Sequence, residues 1–239
     1  YKQYPYGVFL DQITKEGIKM KKLIALTILT IFLAGGTLAA LTTAEAAPAG
    51  TQVGTHLEGI PKEPLSDAEK KGLLLMREEE KLARDLYKAL YDKWGIRAFS
   101  NISKSEQQHM DSVKALLDRY GLADPAGTHK PGEFSDPALQ KAYDDLLKKG
   151  LLSRAEAVAV GAMVEELDIK DLREEKRKAD NKDILMVYEN LEKGSRNHLR
   201  AFGKQLSKEG VRFTASYLSQ DEAEKIMKSP HERGEITDI

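Results

Sequence analysis

The sequence predicts an all-α protein: a four-helix bundle made of two antiparallel hairpins joined by a long crossover, with a short C-terminal helix. Three observations carry this. Charged residues make up 31% of the 239-residue chain and are heavy in Lys and Glu, which are strong helix formers. At four places Ser is followed three residues later by Glu: Ser66/Glu69, Ser103/Glu106, Ser153/Glu156 and Ser219/Glu222. This is the spacing at which each side chain satisfies the other's orphan backbone donor at a helix start. No window alternates apolar and polar residues for long enough to make a strand.

The first long helix is expected over about 66–94, opened by Ser66, and the second over about 102–120, opened by Ser103. A third runs over about 153–179 from Ser153. The fourth, over about 182–207, carries Ile184, Tyr188, Leu191, Leu199 and Phe202 at helical spacing. Ser219 begins a short terminal helix. The first pair is linked briefly through Gly95 and Phe99, and the third and fourth around Lys178 to Asn181, so each pair is antiparallel. Between the second and third lies Gly121 to Leu152, with Pro125, Gly127, Pro131 and Gly132. It has room for one brief helix from Asp136-Pro137 and is long enough to travel the length of the bundle.

The expected organisation places this bundle over residues 65–230, with a disordered tail over 231–239. Residues 1–19 show no targeting pattern and read as an upstream, non-native extension. Residues 20–46 read as a signal peptide, with Met20-Lys21-Lys22, an apolar run from Leu23 to Leu41 and a small-x-small exit at Ala44-Glu45-Ala46. An uncleaved membrane anchor is the rival reading, since the apolar run approaches a bilayer-spanning length. Either reading places the folded part outside the cytoplasm, with any membrane contact through this segment alone. Residues 47–64 form a flexible lead-in.

A net charge of -1, from 37 basic and 38 acidic residues, excludes the basic excess that nucleic-acid binding needs. The absence of cysteine excludes disulfides, thiolate zinc sites and iron–sulfur clusters. Any metal must therefore sit on His, Asp and Glu.

Polar residues in the middle of apolar helix faces are the informative ones. On the second helix, Ile102, Val113, Leu116, Leu117 and Tyr120 bracket Glu106 and His109, which stand one above the other three residues apart. On the third, Glu165 lies near the centre of the stripe, Glu166 well to one side and Asp168 at the margin. On the fourth, Ser195 and His198 are enclosed and Glu192 lies towards the edge. On the first, Glu79 and Glu80 fall on opposite flanks, and the projection does not choose between them. Several acids aimed into one core repel one another unless cations hold them. A carboxylate and imidazole set suits iron or manganese, and admits zinc.

Glu80, Ala83 and Tyr87 on the first helix, Glu106-Gln-Gln-His109 on the second, Glu165 on the third and His198 on the fourth resemble the ferritin, bacterioferritin and rubrerythrin superfamily. The stretches Arg77 to Tyr87, Ser105 to Asp111, Glu165 to Leu172 and Gly194 to Phe202 are similar to domain of unknown function 2202, a ferritin-like family, over roughly residues 66–228. The resemblance picks Glu80 over Glu79. It implies a pair of iron ions per chain on five ligands: Glu80, Glu106, His109, Glu165 and His198. Superfamily sites carry a second E-x-x-H on the fourth helix, and here Ser195 stands in its Glu position. Asp168, Glu192 or Glu79 then serves as replacement ligand, or solvent or substrate fills an open position, or one metal binds weakly. Tyr87, Tyr188 and Ser195 are expected around the ligands.

The expected function is that of an exported non-haem di-iron or di-manganese oxidoreductase acting on dioxygen or peroxide, or oxidising ferrous iron. Its partners are then a small-molecule oxidant or the metal ion itself, with a homodimer left open. The alternative is a non-enzymatic metal-binding or partner-binding bundle with a degenerate site.

Overall fold

The computed structural model describes residue 57 and residues 59–237. The expected upstream extension, the signal segment and most of the lead-in lie outside the described residues. Among the described residues there are six helices and no strand: α1 Asp67–Trp94, α2 Arg97–Tyr120, α3 Pro137–Gly150, α4 Arg154–Lys176, α5 Lys182–Lys208 and α6 Gln220–Lys228. No helix among them is long and apolar enough to cross a membrane.

Three of the four predicted caps stand at helix starts. Ser66 and Glu69 form the reciprocal box, worth about 1 kcal/mol. Ser153 and Ser219 accept from the backbone of Glu156 and Glu222. The fourth is a correction. The second helix begins at Arg97, after Ile96, with no side-chain cap. Ser103 and Glu106 lie inside it and are both buried. Phe99 and Ile96, both buried, draw the chain into the helix about two turns earlier than the capping spacing implied.

Apolar side chains gather in two clusters. One holds Leu82, Leu86, Phe99, Ile102, Val158, Leu199 and Phe202 among others. The other holds Leu73, Met76, Val113, Leu117, Leu172, Ile184 and Leu191. The order in which each helix meets them gives its direction. α1 and α5 run from the second cluster to the first, and α2 and α4 run the opposite way. α1 packs on α2 and α4, and α5 packs on the same two helices.

The crossover between α2 and α4 is fixed to α1 by buried charge. Lys81 Nζ donates to Asp85 at 2.7 Å and to the carbonyls of Lys130 and Glu133. Asp85 also accepts from Gly132 N, and Glu78 accepts from Ser135 N at 2.7 Å. Arg77 pairs with Asp124 through two nitrogens. Residues 231–237, expected as a disordered tail, are instead tied along α5 by Asn190, Lys193, Arg196, Asn197 and Arg200.

Candidate metal centre

Between the two apolar clusters lies a polar layer to which all four long helices contribute. Glu80 comes from α1, Glu106 and His109 from α2, Glu165 from α4 and His198 from α5. All five are buried. Their donor atoms form two groups, Glu80–Glu106–His109 and Glu106–Glu165–His198, and within each group the atoms lie within 4.8 Å of one another. Glu106 belongs to both. Its Oε2 is 2.7 Å from His109 Nδ1, and its Oε1 is 2.9 Å from His198 Nδ1. Glu80 Oε2 lies 3.1 Å from His109 Nδ1, and Glu165 Oε2 lies 3.3 Å from His198 Nδ1. Each imidazole Nδ1 thus faces one private carboxylate and one shared carboxylate.

Glu106 Oε1 is buried and has no partner in hydrogen-bond geometry despite the nearby ring nitrogen. The hydrogen-bond geometry of His198 Nδ1 is instead with Glu165 Oε2, and that of His109 Nδ1 with Glu80 Oε2.

Burial pushes the Glu80 carboxyl up to about 7, against the attraction of His109. Burial also raises Glu165, with the Glu106 charge adding to it against His198. Burial works the same way on Glu106, but the two histidines override it and hold its carboxyl well below the usual range. Burial lowers His198, yet Glu106 and Glu165 bring it up to about 10. His109 is raised in the same way by Glu80 and Glu106. Protons on two imidazoles therefore balance the acids. A cation binding these nitrogens would have to displace the protons, and its affinity would fall as pH falls.

The neighbours of the five residues set their orientation. Tyr87 Oη donates to Glu165 Oε1 at 2.6 Å. Ser105 Oγ sits 2.9 Å from His198 Nε2, which leaves Nδ1 turned to the carboxylates. The rings of His109 and His198 are 5.4 Å apart and nearly parallel. Gly194 makes room for His109: a Cβ there would stand 2.4 Å from Nε2 and 2.6 Å from Cε1. Sequence reasoning gave neither Ser105 nor Gly194 a role, although a glycine inside a helix four residues before an inward His was the available signal. Gly194→Ala is expected to push the His109 ring from its place beside Glu80 and Glu106 and to cost about 1–3 kcal/mol of stability. A urea titration against wild type checks it.

Other expected residues fall elsewhere. Ser195 is buried, and its Oγ bonds back to Leu191 O at 3.1 Å. Glu192 is drawn away to Arg173, Lys176 and Arg196, whose charges hold its carboxyl below the usual range despite burial. It is no spare ligand. Tyr188 packs in the second apolar cluster, and its hydroxyl points towards Gly72 rather than towards the histidines. Glu79 is half-buried and outside both donor groups. Asp168 is buried, and its carboxyl is pushed well up, first by burial and then by the charges of Glu165, Glu80 and Glu106. It stands close to the layer without joining either group.

Fold and site together define an all-helical protein with a buried, paired carboxylate–histidine cluster. The chain belongs to the family described as "Uncharacterized protein domain (DUF2202)", whose pattern matches residues 69–230. It is 50% identical over 179 residues to the uncharacterized protein MJ0754 of Methanocaldococcus jannaschii, an alignment that covers 75% of this chain and 97% of that protein. It is also similar to the crystal structure of the hypothetical protein MJ0754 from Methanococcus jannaschii, with a TM-score of 0.71, covering 73% of this chain and 99% of that one.

Proposed function

We propose that this protein is an exported, ferritin-like four-helix bundle that binds two metal ions, iron first, and acts as a non-haem oxidoreductase on dioxygen, peroxide or ferrous iron. The ferritin-like arrangement is supported by the helix directions, with α1 and α5 running one way, α2 and α4 the other, and the long connection joining α2 to α4. Export rests on the signal-like sequence over residues 20–46.

One observation carries the metal reading. Glu106 places one oxygen against each of two histidines, and each histidine has its own second carboxylate. Glu106 would serve both positions, and a redox-active metal pair, if held by these residues, would supply one-electron chemistry towards an oxygen oxidant. The chain's own residues do the rest. Glu80 and His109 hold one position, and Glu165 and His198 the other. Tyr87 anchors Glu165, and Ser105 holds the ring of His198 in place. Leu82, Ile102, Ile169 and Leu191, on the helices that contribute to the layer, are all buried. Ser195, turned back to its own helix, contributes no sixth carboxylate. Asp168 is the nearest substitute, and without it a position stays open to an exogenous ligand, which favours chemistry over storage.

Iron-loaded wild-type protein is expected to consume dioxygen or peroxide, and the His198→Ala protein to lose at least about 100-fold of that rate. Equal rates in both would sink the oxidoreductase reading. The Ser195 position also favours a second reading, a non-enzymatic metal-binding bundle. On that reading the ions bind but no oxidation follows.

A further inference from the structure

Three of the four seams between neighbouring long helices are strapped by side chains near the carboxylate–histidine layer. α1 and α2 are joined by Arg84 Nη1 donating to Gln107 Oε1 at 2.7 Å and by Arg77 Nη1 donating to Met110 O at 2.7 Å. α4 and α5 are joined by Arg173 and Glu192, and α1 and α4 by Tyr87 Oη donating to Gly161 O. Between α2 and α5 the contact at this level is Ser105 Oγ with Nε2 of His198 itself.

Three pairs fix the register of that seam. Ser105 meets His198, the His109 ring lies where a side chain of residue 194 would stand, and Tyr120 Oη donates to Asp183 at 2.8 Å. Four residues along α2 from Ser105 to His109 match four back along α5 from His198 to Gly194, and eleven onward to Tyr120 match eleven back to Asp183. The two helices therefore pack antiparallel without slip. This register sets Ile102 against Ala201, Gln108 against Ser195 and Ser112 against Leu191. Between Ile102 and Leu191, over about three turns, each imidazole faces a residue with little or no side chain.

The exposure of the five site residues shows where the layer comes nearest to the surface. Glu165, Glu106 and Glu80 are 0, 1 and 3% exposed, whereas His198 and His109 are 7 and 9% exposed. Both rings turn Nδ1 to the carboxylates, so the Nε2 edge is the one that meets this seam. His198 Nε2 is covered by the Ser105 hydroxyl. His109 bonds through Nδ1 alone among the described residues, and its Nε2 stands against Gly194, which is half-buried. A ring nitrogen without a protein partner takes one from water. The seam-facing positions Ser105, Gln108, Ser112, Gly194, Ser195 and Ala201 are uncharged, in a chain that is 31% charged. An ion passing there would shed hydration with no counter-charge to offset the loss, and a small neutral molecule would not.

We infer that the α2/α5 seam at Ser105 and Gly194 is the opening through which water-sized neutral solutes reach the layer. The Ser105 hydroxyl covers the His198 side, and the bare backbone of Gly194 leaves the His109 side open. On the oxidoreductase reading this is where the oxidant enters, a molecule as small and neutral as dioxygen or hydrogen peroxide. That assignment of the oxidant rests on the reading above; the opening itself is a property of the metal-free chain.

Exchange of the imidazole Nε2–H protons with water, followed by heteronuclear NMR in the metal-free, full-length protein, tests the opening. In wild type the His109 proton is expected to exchange at least about tenfold faster than that of His198, which Ser105 covers. Ser105→Ala is expected to raise the His198 rate at least about tenfold and to leave the His109 rate unchanged. Gln108→Trp, at an exposed position on the outer lip, is expected to lower the His109 rate by a similar factor. Equal rates at the two rings in all three proteins overturn the inference, because exchange then runs through general opening of the bundle. A His109 rate that Gln108→Trp leaves unchanged overturns it too, because water then arrives by another seam. No metal enters this experiment, so a failure to bind iron or to oxidise leaves its outcome untouched.

Discussion

Glu106→Ala is expected to abolish the binding of both metal ions, whereas Glu80→Ala or Glu165→Ala abolishes one. The asymmetry follows from sharing. Each histidine keeps a private carboxylate when the other private one is removed, but both lose a donor when Glu106 goes. With Glu106 gone, each position retains one acid and one imidazole, which is too few to compete with water for a divalent ion. Loss of an outer-shell partner alone costs roughly 10–100-fold in metal affinity, and loss of a shared ligand should exceed that at both positions. Elemental analysis after dialysis reads the difference directly. If Glu106→Ala kept one ion, the carboxylate would not be a bridge.

Asp85→Ala is expected to cost about 3–5 kcal/mol of folding stability, because it leaves the Lys81 ammonium buried without its counter-charge. Lys81 would retain two carbonyl acceptors, but neither balances its charge, and Gly132 N would lose its acceptor as well. The crossover would loosen from α1. The double substitution Lys81→Met/Asp85→Leu should cost less than Asp85→Ala alone, because no unpaired charge remains. Denaturant titrations of the two variants against wild type decide the matter. A loss below about 1 kcal/mol for Asp85→Ala would show that water reaches the ammonium.

The helices and their connections were legible because each rests on a local signal: caps at Ser66, Ser153 and Ser219, glycines at Gly95 and Gly121, and Pro137 opening the brief helix. Ser103 misled because the same Ser-x-x-Glu spacing arises when Glu106 is wanted in the core for another reason. Glu106, His109, Glu165 and His198 were visible as polar residues inside apolar stripes, which is a property of one helix at a time. Glu80 was not, since Glu79 and Glu80 flank the stripe evenly and only packing against α2 separates them.

What the sequence hid depends on contacts between distant segments. Arg77, Glu78, Lys81 and Asp85 are buried because the crossover folds over them. Glu166 lies off the stripe and is buried all the same, accepting from the backbone of Ser216, Tyr217 and Leu218. Glu192 looked like a spare ligand because its cations, Arg173 and Lys176, come from another helix. The segment after α6 lacks apolar periodicity and read as disorder. Its order comes from amide and guanidinium groups on α5, which leave no periodic mark.

The most direct test of the account is the number of ions the wild-type protein holds after anaerobic loading with ferrous iron and removal of the excess. Two per chain is the predicted result, falling to none in Glu106→Ala. One or none in the wild type would contradict a paired centre built around Glu106.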